Sequence, residues 1–104
     1  MRPKKLLKEA KKIVSGERQK DYGHPAENHE CTATMWQAYM KRRIEVFLRT
    51  DREFWISAQD VCNLNILQKM SREANIHTDD NDVDIIGYLL NKAMIEEYVP
   101  PFED

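Results

Sequence analysis

Asn65, Lys69 and Arg72 follow one another at i, i+4 and i+7, so on a helix they share one face. A little further on, Asp80, Asp84 and Tyr88 repeat the arrangement at i, i+4 and i+8. If the stretch Asn75–Asp79 folds the chain back, Lys69 lies opposite Asp84, and Arg72 lies opposite Asp80 and Asn81. Two cations then face two carboxylates beside an aromatic ring. Such a set has two readings. It is a structural ion pair that fixes the register of antiparallel helices, or it is a ligand site. In the second, Lys69 and Arg72 hold a phosphate while Asp80 and Asp84 hold ribose, base or a metal such as Mg²⁺. The two readings are compatible.

The elements that must position these residues are legible. Ser57-Ala-Gln-Asp60 is a capping box, in which hydroxyl and carboxylate each satisfy a backbone N–H that a helix start leaves open. Behind it, Val61, Cys62, Leu64, Ile66, Leu67 and Met70 form an apolar band too wide for a surface helix. After the break, Val83, Ile86, Leu90, Ala93 and Met94 recur at helical intervals. Upstream, Lys4–Ser15 reads as an amphipathic helix with Leu6, Leu7, Ala10, Ile13 and Val14 on one side and Gly16 as its stop. Residues 17–25 read as an ordered loop. There Tyr22-Gly23-His24-Pro25 joins a glycine free to take positive φ to a proline that opens the next helix. That loop sets Tyr22, His24 and Arg18 near a helix N-terminus, where backbone N–H groups favour an anion, and Asn28 follows in the first turn. The alternative is a plain connection between helices.

A helical stripe runs from Ala33 through Trp36, Met40, Ile44 and Phe47. Trp36 is either core or a platform on which a base stacks. Glu27 and Glu30 are either a metal-binding pair or an acidic first turn that suits the helix dipole. Lys41-Arg42-Arg43 reads as a charged helix end or a phosphate-seeking cluster. Thr50-Asp51-Arg52-Glu53 reads as a second capping box opening a short helix, and Phe54, Trp55 and Ile56 add apolar mass suited to a subunit contact. Two prolines end the last helix, and Phe102 is expected to tuck onto a neighbour.

With 104 residues, a single domain is expected. The net charge of −2 argues against a nucleic-acid polymer or a membrane surface as partner. No apolar run has the length of a membrane span or signal peptide, so a cytoplasmic location is expected. Cys31 and Cys62 make no disulfide framework, and no zinc, P-loop, dinucleotide or nucleophile-elbow spacing occurs. So short a chain buries only part of its surface, which favours assembly with a copy of itself.

Taken in order, Tyr22-Gly-His-Pro-Ala-Glu-Asn28, Trp36, Asp60-Val61, Leu67-Gln-Lys69, Arg72, Asp80 through Asp84 and Gly87-Tyr88 resemble a small phage-encoded family. Its pattern is R…YGxPxxN…W…DV…LxKxxR…DxxxDxxGY, and it is known as a domain of unknown function. The connection Lys41–Trp55 is longer than in that pattern. The arrangement is more distantly similar to the all-helical MazG and dimeric dUTPase group of nucleoside triphosphate pyrophosphohydrolases, which bind Mg²⁺ through acidic pairs on successive helices. Here Lys69-x-x-Arg72 and Asn81-x-x-Asp84 stand at those positions, and a cation there repels Mg²⁺ and meets phosphate directly.

The expectation is therefore an all-α bundle of about four helices, MazG-like, forming a homodimer or higher homo-oligomer. It is expected to bind a nucleotide or cyclic nucleotide and, by its phage resemblance, to sequester a nucleotide-derived immune signal in the host cytoplasm. Arg18, Lys69 and Arg72 would meet phosphate. Tyr22, Trp36 or Tyr88 would cover a base, with His24, Asn28, Asp80 and Asp84 completing the site. The alternatives are a Mg²⁺-dependent pyrophosphohydrolase using Asp80, Asp84, Asp60 and Glu27 or Glu30, and a helical interaction module in which Lys69–Asp84 only sets register.

Overall fold

The structure is a computed structural model that describes residues 1–50 and 53–101, the side chain of Glu17 aside. It is all-α. The helices are α1 (Pro3–Val14), α2 (Glu17–Tyr22), α3 (Pro25–Thr50), α4 (Ala58–Glu73) and α5 (Asp79–Glu97). Five helices replace the expected four, because residues 17–22 are helical and not a loop. Glu-Arg-Gln-Lys are good helix formers, and the breaking residues Gly16 and Gly23 mark only the two ends of the segment.

The central helix is α4, which packs against both α3 and α5. Its capping box forms as expected: Ser57 Oγ accepts from the Asp60 N–H at 3.1 Å, and Asp60 Oδ2 accepts from the Ser57 N–H at 2.9 Å. Helix α3 starts with proline at its first position and then meets neither glycine nor proline, so it runs unbroken for 26 residues. Lys41-Arg42-Arg43 accordingly lies inside a helix and not at its end. Thr50 closes α3, Asp51 and Arg52 of the expected second capping box lie outside the described residues, and 53–57 form no regular element. Phe102 also lies outside the described residues.

Polar groups dominate the interior. Phe47 and Cys62 are buried, but so are Asn28, Thr32, Asp60, Ser71 and Asn81. Buried polar groups must be paired, and these are. Thr32 Oγ1 and Ser71 Oγ lie 2.5 Å apart between α3 and α4, and Trp36 Nε1 donates to the Leu64 carbonyl at 2.7 Å. On α5 the inner face carries Asn81, Ile85, Tyr88, Lys92 and Ile95. The stripe of Val83, Ile86, Leu90 and Met94 points to solvent instead. The apolar stripe of α1 is exposed as well, and α1 has no buried residue. Among the described residues, no helix is long and apolar enough to cross a membrane.

Candidate functional site

The end of α2, the start of α3 and the last turns of α4 meet at one cavity of about 250 Å³, open on one side. Gly23 makes the corner. Its φ of 81° and ψ of −177° belong to a region that residues with a Cβ rarely enter. A Cβ there would also stand 3.2 Å from Asn75 Oδ1. Asn75 in turn donates to the Asp21 carbonyl at 2.6 Å, so the hairpin turn and the α2 corner are tied together. Two further contacts hold the corner. Asn28 Nδ2, buried, donates to the Tyr22 carbonyl at 2.8 Å, and His24 Nδ1 accepts from the Ala26 N–H at 3.1 Å.

This scaffold delivers Tyr22 to Arg72, whose guanidinium carbon lies 4.5 Å from the ring centroid. Stacking on the ring fixes the cation without neutralising it. Arg72 Nε, like Arg43 Nε, is buried with no well-aligned hydrogen-bond acceptor among the described residues, but Arg43 has the Asp60 carboxylate beside it and Arg72 has no carboxylate partner among them. Arg18, Asn28, His29 and Gln68 complete the polar lining, with Val14 and Pro25 beside them. No carboxylate of the described residues lines the cavity. It is therefore suited to an anion with an attached planar or apolar group.

Of the residues singled out by sequence, Arg18, Tyr22, Asn28 and Arg72 converge here, while His24 acts through the backbone of the corner. The others lie elsewhere. Lys69 Nζ is 2.8 Å from Asp84 Oδ2, with the lysine side chain only 13% exposed, so the expected pairing across the hairpin forms. Arg72 does not pair with Asp80, because it turns toward Tyr22 on the other side of α4. Asp80 is exposed in the first turn of α5. Tyr88 lines a separate, shallow apolar depression with Asn65 and Met94, and Trp36 is held by its bond to α4. His29 and Gln68 escaped the sequence reading. Gln68 sits one turn before Arg72 and His29 directly after Asn28, and helical spacing alone could have flagged the former.

Asp60, a candidate metal ligand for the hydrolase, is engaged at the opposite end of α4. Tyr39 donates to Oδ1 at 2.6 Å, Ser57 Oγ donates to Oδ2 at 2.9 Å, and Arg43 Nε stands 2.9 Å from Oδ1. Arg43 also stacks 4.9 Å from the Phe47 centroid. Burial acts to raise the Asp60 carboxyl, but hydrogen bonds from Tyr39, Ser57 and Arg43 outweigh it and hold the group at about 2. Burial, reinforced by the bond to Asp60, pushes the Tyr39 phenol above its ordinary value.

A second cluster, unforeseen from sequence, closes the hairpin. Glu73 accepts from Asn81 Nδ2 at 2.9 Å and meets His77 Nδ1, while His77 Nε2 lies 3.2 Å from Asp79 Oδ1. Asn81 and then His77 lower the Glu73 carboxyl, and Glu73 and then Asp79 raise the His77 ring. Ligand-capable atoms of Glu73, His77 and Asp82 lie within 4.8 Å of one another, so this is where a divalent ion could be held among the described residues. The i, i+4 spacing of Glu73 and His77 was its available signal.

Residues 5–96 match a family described as "Domain of unknown function (DUF6378)". The chain is 38% identical over 95 residues to the Gene 55 protein of Mycobacterium phage L5, covering 88% of this chain and 54% of the relative. Identity to the Gene 55 protein of Mycobacterium phage D29 is 34% over 84 residues, covering 80% of this chain and 48% of the relative. The chain thus spans about half the length of the curated relatives it matches. No solved structure matches.

Proposed function

We propose that this chain, which belongs to the DUF6378 family, binds a phosphorylated nucleotide at the Arg72–Tyr22 cavity and holds it without turning it over. One observation carries the reading: a stacked arginine, its Nε buried, in a cavity that no carboxylate of the described residues lines. A buried N–H left unpaired is costly, and a phosphate oxygen is the acceptor that suits it best. In this reading Arg72 and Arg18 meet the phosphate. Asn28, His29 and Gln68 address sugar and base edges, and Tyr22 offers aromatic surface.

Volume sets a bound on the ligand. Pockets that enclose drug-sized molecules run from roughly 300 to 1,000 Å³, and about 250 Å³ suits the phosphate-bearing part of one nucleotide. A cyclic dinucleotide would leave its second half outside the cavity. The placement of the acids supports binding without turnover. Asp60 is locked by Tyr39 and Arg43, Asp84 is paired with Lys69, and neither lines the cavity. A hard-cation centre of the MazG type needs several carboxylates directed to one point. Sequestration of a nucleotide signal during infection fits such a binder and the phage origin of the relatives.

The test is calorimetric titration with mononucleotides, nucleoside triphosphates and cyclic dinucleotides in Mg²⁺, followed by chromatography of the recovered ligand. Saturable binding with intact ligand is expected. Release of pyrophosphate, abolished by Asp84→Asn, would replace this reading with the hydrolase.

A further inference from the structure

We infer that two copies of this chain exchange their first helices, α1 of each packing on the outer face of α5 of the other. The starting observation is surface. A compact monomer of 12.3 kDa exposes about 6,100 Å², whereas this chain exposes 8645 Å². The excess is roughly 2,500 Å² per chain, or about 5,000 Å² for a pair, which reaches the upper end of what obligate homodimers bury in total. The radius of gyration, 17.5 Å, makes the same point against about 13 Å for a compact chain of this length.

Two apolar stripes contribute to that excess, beside the exposed Leu48, Trp55 and Ile56. Val83, Ile86, Leu90 and Met94 on α5 are 63%, 58%, 61% and 68% exposed. With Ile85 and Ile95 on the inner side, α5 is apolar on both faces, and such a helix belongs inside an assembly. On α1, Leu6, Leu7, Ile13 and Val14 are between 48% and 57% exposed, and among the described residues α2 is the one helix whose backbone runs beside it. The lengths are compatible: at about 1.5 Å per residue, the α1 stripe from Leu6 to Val14 spans about 12 Å and fits within the about 17 Å of the α5 stripe from Val83 to Met94.

Charge selects α1 as the occupant of α5. Five lysines against one glutamate give α1 a net charge of +4. On α5, four aspartates and two glutamates against one lysine give −5. Packing α5 on its own copy would set −5 against −5 around an apolar seam, whereas α1 on α5 sets opposite charges around it. Gly87, with nothing within 4 Å of a Cβ built on it, leaves room beside the stripe for close approach.

Sedimentation of the full chain with two variants tests this. One, Leu7→Glu/Ile13→Glu, breaks α1, and the other, Ile86→Glu/Leu90→Glu, breaks α5; all these positions are exposed in the single chain, so circular dichroism should show folded helices. The wild type is expected to be dimeric at 50 µM and each variant monomeric, with at least a tenfold loss of affinity. An equimolar mixture of the variants should recover a 1:1 dimer, since one intact α1 then meets one intact α5. A monomeric wild type would overturn the inference. So would an α1 variant that remains dimeric, which would mean α5 packs on α5, or a mixture that stays monomeric.

Discussion

Two arginines in this molecule lie on aromatic rings, one near each end of α4, and their surroundings differ in one respect. Arg43 rests on Phe47 and meets the Asp60 carboxylate, which Tyr39 and Ser57 also engage. Arg72 rests on Tyr22 and meets no carboxylate among the described residues. The first is a closed knot that joins α3 to α4. The second is the same cation–aromatic unit with its anion position left open. The difference teaches which end of the helix carries structure and which end the proposed function assigns to a ligand.

The largest expected effect belongs to the closed end. Asp60→Ala leaves Arg43 charged and half-buried without its partner, and should cost about 3 kcal/mol in chemical denaturation. Arg72→Met should lose only a ring contact from the fold, yet cost about 1.5–3 kcal/mol in nucleotide affinity by calorimetry. If both substitutions instead affect stability equally, the contrast between the two ends fails.

Acid sharpens the comparison. The Asp60 carboxyl is depressed from 3.8 to about 2, so its contribution is present above pH 3.8 and is lost as the pH falls toward 2. Wild-type stability should therefore drop across that window, and Asp60→Asn should flatten the drop. Lys69→Met removes the register pair but leaves Asp84 partly in water, so about 1 kcal/mol of stability is expected to go with ligand affinity unchanged. The smallest effect is at the hairpin turn. His77 has a raised folded value, so its contribution is complete below 6.5 and fades as the pH rises through that folded value. His77→Gln should remove this mild dependence in a thermal melt series.

How far the sequence carried differs by element. Capping chemistry is local, so Ser57 and Asp60 were readable directly, and helical spacing made Lys69 and Asp84 readable as a pair. Helical spacing sets Arg72 opposite Asp80, whereas the structure stacks it on Tyr22. Tyr22 lies 50 positions away, and the corner at Gly23 that brings it close is a tertiary fact. Periodicity likewise identified Leu6, Ile13, Val83 and Leu90 as apolar faces without saying that a single chain leaves them bare. A pattern shows that a face must be covered, not by what.

The central claim, that Arg72 awaits an anion while Arg43 already has one, can be read from arginine Nε–H resonances in a ¹⁵N-labelled sample, assigned with Arg72→Lys and Arg43→Lys. On titration with the tightest-binding nucleotide of the panel, the Arg72 signal should move strongly downfield and the Arg43 signal stay in place. An unmoved Arg72 signal at saturation, or a shift confined to Arg43, would contradict the account.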